Sequence, residues 1–461
     1  VSPPHRNADV QTDVSALVAR GWSEDEARRW VDRLHRGAVA SPVLRPAIPG
    51  DGIHTLDPAT RDDLARLGAS VAATAGSFVP SSGAATRMCD ALVRARRGET
   101  LGPEDGALVE RVRAGWKTLP FADALRAAGA DRDPIAALVD DDGLALPRRP
   151  KALVPFHDAV QPSPLAAHVR DARRLGLAGL HLTASVEHTE AFDQEIRAVA
   201  PDLAGLRVDV STQDPGTDLP ILAEAGHLVR DVDGRPVLRP GGHGALLGNL
   251  ARAVVERGWS YTLLRNVDNT APAEEADAHV AWRLALLGLV VKLERLASEA
   301  AVDPASLDAL VAWTGWDADR CRRRLDRPFR VAGMVPSRGQ PGGGPFWVQE
   351  ADGASLQIVE LVQIAPEDAG VVARATHFNP VEIALGTGRM GDPRRWIDPS
   401  AAILQRRRVD GVWVTMAEHP GLWNGSMAGW NTVFVEIPAS MFHPVKTVAD
   451  LLGRRAVARP Q

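Results

Sequence analysis

The sequence predicts an α/β protein with an N-terminal helical segment and a β-rich C-terminal part, and three observations carry that prediction. Between about residues 75 and 330, short apolar runs such as GLAGLHLTAS and YTLLRNVDN alternate with long helical patterns, among them EEADAHVAWRLALLGLVVKLERLASEA. Strands alternating with helices favour a sheet flanked by helices. Polar and glycine-rich segments follow several of those strands, which is where ligands usually bind in such folds. From about residue 331, β-branched and aromatic runs between turns dominate.

Taken in order, the first seventy residues read as helical. SEDEARRWVDRLHRG starts with Ser23 as a cap, has Glu26 three residues later and ends at Gly37, the arrangement of a capped helix. DPATRDDLARLGASVAA repeats it with Asp57 or Thr60 as the cap, and the proline-rich ASPVLRPAIPGDGIHTL between them reads as connection. The mixed region follows, expected as an α/β core over 71–330. The last part, 331–461, opens with the glycine-rich GQPGGGPFWV. It continues through SLQIVELVQI, VVARATHFNP, GVWVTMAE and WNTVFVEIP as strands, with a final helix near PVKTVADLLGRRA.

Composition bounds the function classes. A chain of 461 residues exceeds what one hydrophobic core usually serves. With 45% hydrophobic and 24% charged residues and a net charge of -5, it has an ordinary globular balance and no bulk charge favouring nucleic acid. Cys89 and Cys321 stand far apart and outside CxxC spacing, which points to a reducing compartment without a disulfide or a zinc knuckle. The opening VSPPHRNADVQTDV has no basic-then-apolar signal pattern, and LALLGLVV (284–291) is too short to cross a bilayer. The cytoplasm is the expected location, and the NGS sequon at Asn424 then carries no meaning.

Four segments carry candidate chemistry. In VPSSGAATRM (79–88), Gly83 is able to take φ > 0, and the small Ala84 and Ala85 leave backbone N–H groups open to an anion. Thr86 adds a hydroxyl and Arg87 a fork of donors suited to phosphate oxygens, or the loop simply caps a helix starting near Thr86. In RRPKALVPFHD (148–158), Lys151 is placed to reach a substrate phosphate, or to sit solvated at a strand edge. In LRPGGHGALLGNL (238–250), glycines bracket His243 and allow close backbone approach to a ligand just before a helix. In YTLLRNVDNT (261–270), Asp268 ends an apolar strand, where it either holds Mg²⁺ with phosphate and water or caps the next helix.

Other motifs are set aside. GTGRMG (386–391) satisfies GxGxxG, but the following DPRRW disfavours the helix a dinucleotide site requires. No GxxxxGK[ST] or GxSxG pattern occurs, and His181, His188 and His377 show no zinc spacing.

The order of SSGAATRM, KALVPFH, RPGGHGAL and NVDN resembles the DUF4301 family of bacterial proteins over roughly residues 70–440. More distantly it resembles the UDP-sugar pyrophosphorylase group of nucleotidyltransferases. The resemblance implies a GT-A-like nucleotide-diphospho-sugar transferase core with a mixed, mainly parallel sheet. It also implies a nucleotide- and phosphate-binding set of Ser82, Gly83, Ala84, Ala85, Thr86, Gln213, Gly242, His243 and Gly244. Ala85 stands where the usual loop has a glycine. Arg87, Lys151 and Asp268 are implied as catalytic, with Asp268 holding Mg²⁺. Ser185, His188, Asn269, Phe346, Trp347, Gln357 and Glu360 are the candidates on the sugar side, although the aromatics also suit a packed glycine-rich hairpin.

The reaction so implied joins a nucleoside triphosphate to a sugar-1-phosphate with release of pyrophosphate. A glycosyltransferase or phosphotransferase on the same scaffold, and a noncatalytic nucleotide- or sugar-phosphate-binding protein, are the alternatives. The expected partners are small molecules, with neither nucleic acid nor membrane among them.

Overall fold

The computed structural model describes residues 4–157, 163–199, 205–271, 275–339, 342–409 and 412–454. Gln340 and Pro341 of the glycine-rich segment lie outside these. A nine-stranded sheet runs in the order Ile48–Pro49, Gly52–His54, Asn431–Glu436, Phe329–Pro336, His377–Leu385, Tyr261–Arg265, Ala75–Val79, Gly179–Ala184 and Arg207–Thr212. Neighbours are parallel except for the two pairings made by His377–Leu385, which runs against both adjacent strands. The expected mixed, mainly parallel sheet is thus present, and its middle strands Ala75–Val79 and Gly179–Ala184 are buried along their whole length, as strands covered on both faces should be. A three-stranded and a four-stranded sheet complete the β-structure.

The division at 70 and 330 does not separate sheets. Strands from 48–54 and from 329–436 join the same sheet as those from 75–212. The proline-rich stretch read as connection contributes Val43–Pro46, Ile48–Pro49 and Gly52–His54. Ile48–Pro49 is the edge strand of the large sheet, a position that tolerates a missing N–H. VVARATHFNP splits into a helical turn at Ala369–Val372 and a strand that begins only at His377. The final helix is a 3₁₀ turn, Val448–Leu451, closed by a capping box between Thr447 and Asp450.

The helix signals at the N-terminus hold. Ser23 accepts a hydrogen bond from the Glu26 N–H and Gly37 ends the helix Glu24–Arg36 at φ 86°. Asp57, rather than Thr60, caps Pro58–Val71. That helix crosses the long helix Ala276–Glu299 backbone to backbone: a Cβ on Gly68 would lie 2.0 Å from the Leu284 carbonyl oxygen, and one on Gly288 1.9 Å from that of Leu64. Both cysteines are buried and free, and no described helix is long and apolar enough to cross a membrane. Asn424 is buried, with its amide donating to Gln363 Oε1. GTGRMG contains a 3₁₀ turn, Thr387–Arg389, and is followed by another, Pro393–Trp396, rather than by an α-helix.

Candidate functional site

Tyr261–Arg265, Ala75–Val79 and Gly179–Ala184 are adjacent and parallel, so the segments that follow them leave from one end of the sheet. These are NVDN, SSGAATR and the turn bearing Ser185 and His188. Ser81 ties the second to the third strand: its N–H donates to Thr183 Oγ1 (3.0 Å) and its hydroxyl to the Thr183 carbonyl (2.7 Å). The loop then pairs with residues 147–151. The Ala85 N–H donates to the Arg149 carbonyl (2.9 Å), the Lys151 N–H to the Gly83 carbonyl (3.0 Å) and the Thr86 hydroxyl to the Pro147 carbonyl (3.0 Å).

That pairing delivers Lys151 to NVDN. Its ammonium donates to Asp268 Oδ2 at 2.6 Å, with side chains 17% and 7% exposed. Asp268 Oδ1 is buried with no hydrogen-bond partner among the described residues, an arrangement that costs free energy unless something else meets it.

The NVDN backbone is held on several sides. A ring nitrogen of His168 lies 3.2 Å from the Val267 carbonyl, and Arg265 donates to the Asn269 carbonyl at 3.2 Å. Burial pushes the His168 imidazole down to about 3, so it is neutral. Arg265 belongs to a buried set in which Arg265 and Arg283 meet Asp171 and Glu382. Burial works against the Asp171 carboxylate, yet the Arg283 and Arg265 guanidiniums hold it down at about 2. Two positive and two negative groups balance, which is the condition for burying charge.

His243 forms a second wall. Gly242 precedes it at φ 73°, its Nδ1 accepts from the Leu422 N–H at 2.8 Å, and its ring stacks on Trp423 at 3.7 Å between centroids. Burial, aided by the positive charge of Arg87, pushes the imidazole down to about 4. It is therefore neutral near pH 7, and with Nδ1 accepting, the proton sits on Nε2 as a donor. The Trp423 indole N–H donates to Glu360 Oε1 at 3.2 Å, and burial raises the Glu360 carboxyl above its ordinary range. Arg87 is exposed, and its guanidinium makes no hydrogen bond or ion pair to any described residue.

A family model matches residues 10–303 and 315–456 of the chain. The chain belongs to DUF4301, a domain of unknown function. No match is found among curated proteins. Among solved structures, the DUF4301 chain is similar to a UDP-glucose phosphorylase from Trypanosoma brucei. The identity is 14% and the TM-score 0.50, over 98% of this chain and 79% of that one. It is also similar to the uridine diphosphate N-acetylglucosamine pyrophosphorylase from the same organism in complex with an inhibitor, at 13% identity and a TM-score of 0.50, over 96% and 78%. At such identities the likeness establishes the fold alone, the α/β architecture shared with those two structures.

Within this DUF4301 chain the sequence-predicted residues separate into groups. Lys151 and Asp268 meet directly, and the loop 82–87 is paired to the segment carrying Lys151. The positive charge of Arg87 acts on His243, while Glu360 reaches His243 through Trp423. Ser185 and His188 meet each other, hydroxyl to Nδ1 at 2.7 Å. The Gln213 amide donates to Thr217 Oγ1 and Asp218 Oδ1, both at 3.1 Å. The same turn abuts Gly241, since a Cβ there would lie 2.7 Å from the Thr217 carbonyl oxygen.

Several expectations are corrected. Gly83 is not at positive φ, the Ala85 N–H and the Thr86 hydroxyl donate to carbonyls of the chain, and Gly83, Ala84, Thr86 and Arg87 are exposed. The approach that Gly242 and Gly244 permit is to the chain itself: Cβ atoms there would lie 2.6 Å from Glu418 Oε2 and 2.1 Å from the Pro420 carbonyl oxygen. Asn269 is buried, donating to Glu382 and the Met441 carbonyl and accepting from the His443 N–H. Phe346 and Trp347 are buried in strand Gly343–Glu350, the hairpin-packing role that their glycine-rich setting allowed. Gln357 is buried too, its amide engaged with Arg330, Glu350, Ser355 and the Ala428 carbonyl.

Residues the sequence reading missed are Trp423, whose GLWNGS segment drew notice only for its sequon, and Lys446. The latter is exposed, and its charge acts on the Glu360 carboxyl.

Proposed function

We propose that this chain transfers a nucleotidyl group from a nucleoside triphosphate to a sugar-1-phosphate and releases pyrophosphate. The observation that carries the reading is the contact of Lys151 with Asp268, with the second Asp268 oxygen buried and unpartnered among the described residues. It lies where a partly exposed loop and two further segments leave adjacent parallel strands, the usual ligand position in such sheets. The similarity of fold to two enzymes whose names mark them as acting on UDP-sugars supports the same reading.

In that reaction an oxygen of the sugar-1-phosphate forms a bond to the α-phosphorus. The bond from that phosphorus to the bridging oxygen breaks, and the electron pair departs with pyrophosphate. No covalent enzyme intermediate is needed, so the residues act by position and charge. Lys151 neutralises oxygens at the reacting phosphorus and Arg87 those of the departing pyrophosphate. His243, neutral, donates from Nε2 without adding charge. Asp268 Oδ1 fits one coordination position of Mg²⁺, whose oxygen shell phosphates and water would complete; Mg²⁺ there would supply further neutralisation of phosphate charge.

The test is pyrophosphate release across a panel of nucleoside triphosphates and sugar-1-phosphates, each with and without Mg²⁺. Release requiring both substrates and falling about 10²–10³-fold in Lys151→Ala supports the reading. Release of a nucleoside diphosphate, or binding of these ligands without turnover, overturns it.

A further inference from the structure

Outside that site, Glu275, His279 and His443 converge, each offering one ligand atom with all three atoms within 4.8 Å of one another. Glu275 is the N-cap of helix Ala276–Glu299 and His279 stands four residues on, so the two share a helix face. His443 arrives from the segment before Lys446. Glu275 Oε2 lies 2.9 Å from His443 Nε2 and 3.7 Å from His279 Nε2. The Ser440 carbonyl oxygen lies 2.7 Å from His279 Nε2. His279 is buried, whereas the other two side chains are 24% and 36% exposed, which leaves the cluster a path to solvent.

We propose that Glu275, His279 and His443 form a binding site for a divalent transition-metal ion of the zinc type. Two imidazoles and one carboxylate are a ligand set that Zn²⁺ takes at about 2.0–2.2 Å with a fourth position for water or another oxygen. The set discriminates against Mg²⁺ and Ca²⁺, which prefer oxygen shells. Glu275 and His443 are already at hydrogen-bonding distance and all three ligand atoms lie within 4.8 Å of one another, so the ion enters by displacing protons, including the one His279 shares with the Ser440 carbonyl, and by small side-chain adjustment. The ion would clamp the chain around His443 onto the start of the long helix. Because the His443 N–H donates to Asn269 Oδ1 at 2.9 Å, the clamp lies one residue from Asp268 without using it.

The structure also sets the strength of the site. With Nε2 on the metal, the His279 proton belongs on Nδ1, which is buried and has no hydrogen-bond partner among the described residues. A ligating histidine usually donates from its second nitrogen, and loss of that support costs about 10–100-fold in metal affinity. The site is therefore weaker than a fully buttressed zinc centre by roughly that factor.

The test uses the full-length, untagged, chelator-treated chain titrated with Zn²⁺ by calorimetry, with Co²⁺ as a spectroscopic probe. One Zn²⁺ per chain, the intense visible band of four-coordinate Co²⁺ and persistence of binding in excess Mg²⁺ are expected. His443→Gln and Glu275→Gln, both at partly exposed positions, should each weaken binding by at least about tenfold while leaving the far-ultraviolet circular dichroism unchanged. His279→Ala should do the same, and the other two variants decide the matter if it fails to fold. Absence of stoichiometric Zn²⁺ binding, displacement by Mg²⁺, or Zn²⁺ affinity unchanged in both His443→Gln and Glu275→Gln overturns the proposal.

Discussion

Lys151 and Asp268, 117 positions apart in sequence, meet at 2.6 Å with the lysine 17% and the aspartate 7% exposed. A pair so sheltered has lost much of its hydration, and its second carboxylate oxygen has no partner among the described residues, so the contact is poorly arranged for stability alone. Replacing only the lysine, as Lys151→Met, strands the aspartate and should cost about 3–5 kcal/mol. The double variant Lys151→Met/Asp268→Asn should recover most of that loss in denaturant unfolding and still fail to bind a nucleoside triphosphate. Recovery of stability together with wild-type binding would mean that the pair is a brace and nothing more.

The crossing of Pro58–Val71 with Ala276–Glu299 predicts a different kind of loss. Gly288→Ala places a methyl 1.9 Å from the Leu64 carbonyl oxygen, which neither backbone can yield without separating the helices. Overpacking of this sort costs about 1–3 kcal/mol, against the small gain that alanine ordinarily brings within a helix. A lowered urea midpoint with an unchanged slope is the expected result. A raised midpoint would mean that the helices are not held at this distance.

What was legible in the sequence follows from range. Helix ends marked by Ser23, Gly37 and Asp57 are local chemistry, and the structure places them there. The alternation of strands and helices gave the α/β class for the same reason. Strand partners are not local: Ile53 is a strand residue because it lies against Phe434, and nothing within ASPVLRPAIPGDGIHTL announces that. The site divides in the same way. Lys151 and Asp268 were recognisable by their motifs, whereas the burial of Asn269, Phe346, Trp347 and Gln357 depends on distant neighbours. The glycines around His243 look like a ligand loop because close approach of a ligand and close approach of Glu418 and Pro420 demand the same absence of a side chain.

Glu294 predicts a pH dependence of stability. Burial raises its carboxyl from 4.5 to about 7, so the folded chain holds this proton more tightly than the unfolded chain. The associated stability is complete below about pH 4.5 and is lost as pH rises through the window up to about 7. Glu294→Gln, a neutral isostere, should be more stable than the parent by about 3 kcal/mol at pH 8, the order a shift of this size implies. It should also show a flatter profile between pH 4.5 and 7 in chemical unfolding. Equal profiles for the two proteins would mean that the carboxyl ionises normally.

Arg87 and His243 supply a prediction that reports on the geometry of the cleft directly. Arg87 is exposed and its guanidinium has no hydrogen-bonding or ionic partner among the described residues, so Arg87→Ala should alter stability by no more than about 0.5 kcal/mol. Its charge is nevertheless one of two causes that hold the His243 imidazole down at about 4, burial being the larger. Removing the guanidinium should therefore move that value upward while leaving it below the ordinary 6.5. Because a depressed imidazole contributes stability that is present above about pH 6.5 and lost as pH falls towards 4, the variant should lose less stability over that acid window. Nuclear magnetic resonance titration of the His243 ring measures the shift. Affinity for a nucleoside triphosphate should fall about 10–100-fold, the equivalent of one charge-assisted hydrogen bond to phosphate. A moved titration with unchanged triphosphate affinity would leave Arg87 beside His243 but remove it from phosphate binding. An unmoved titration would mean that the loop carrying Arg87 does not face this wall of the cleft.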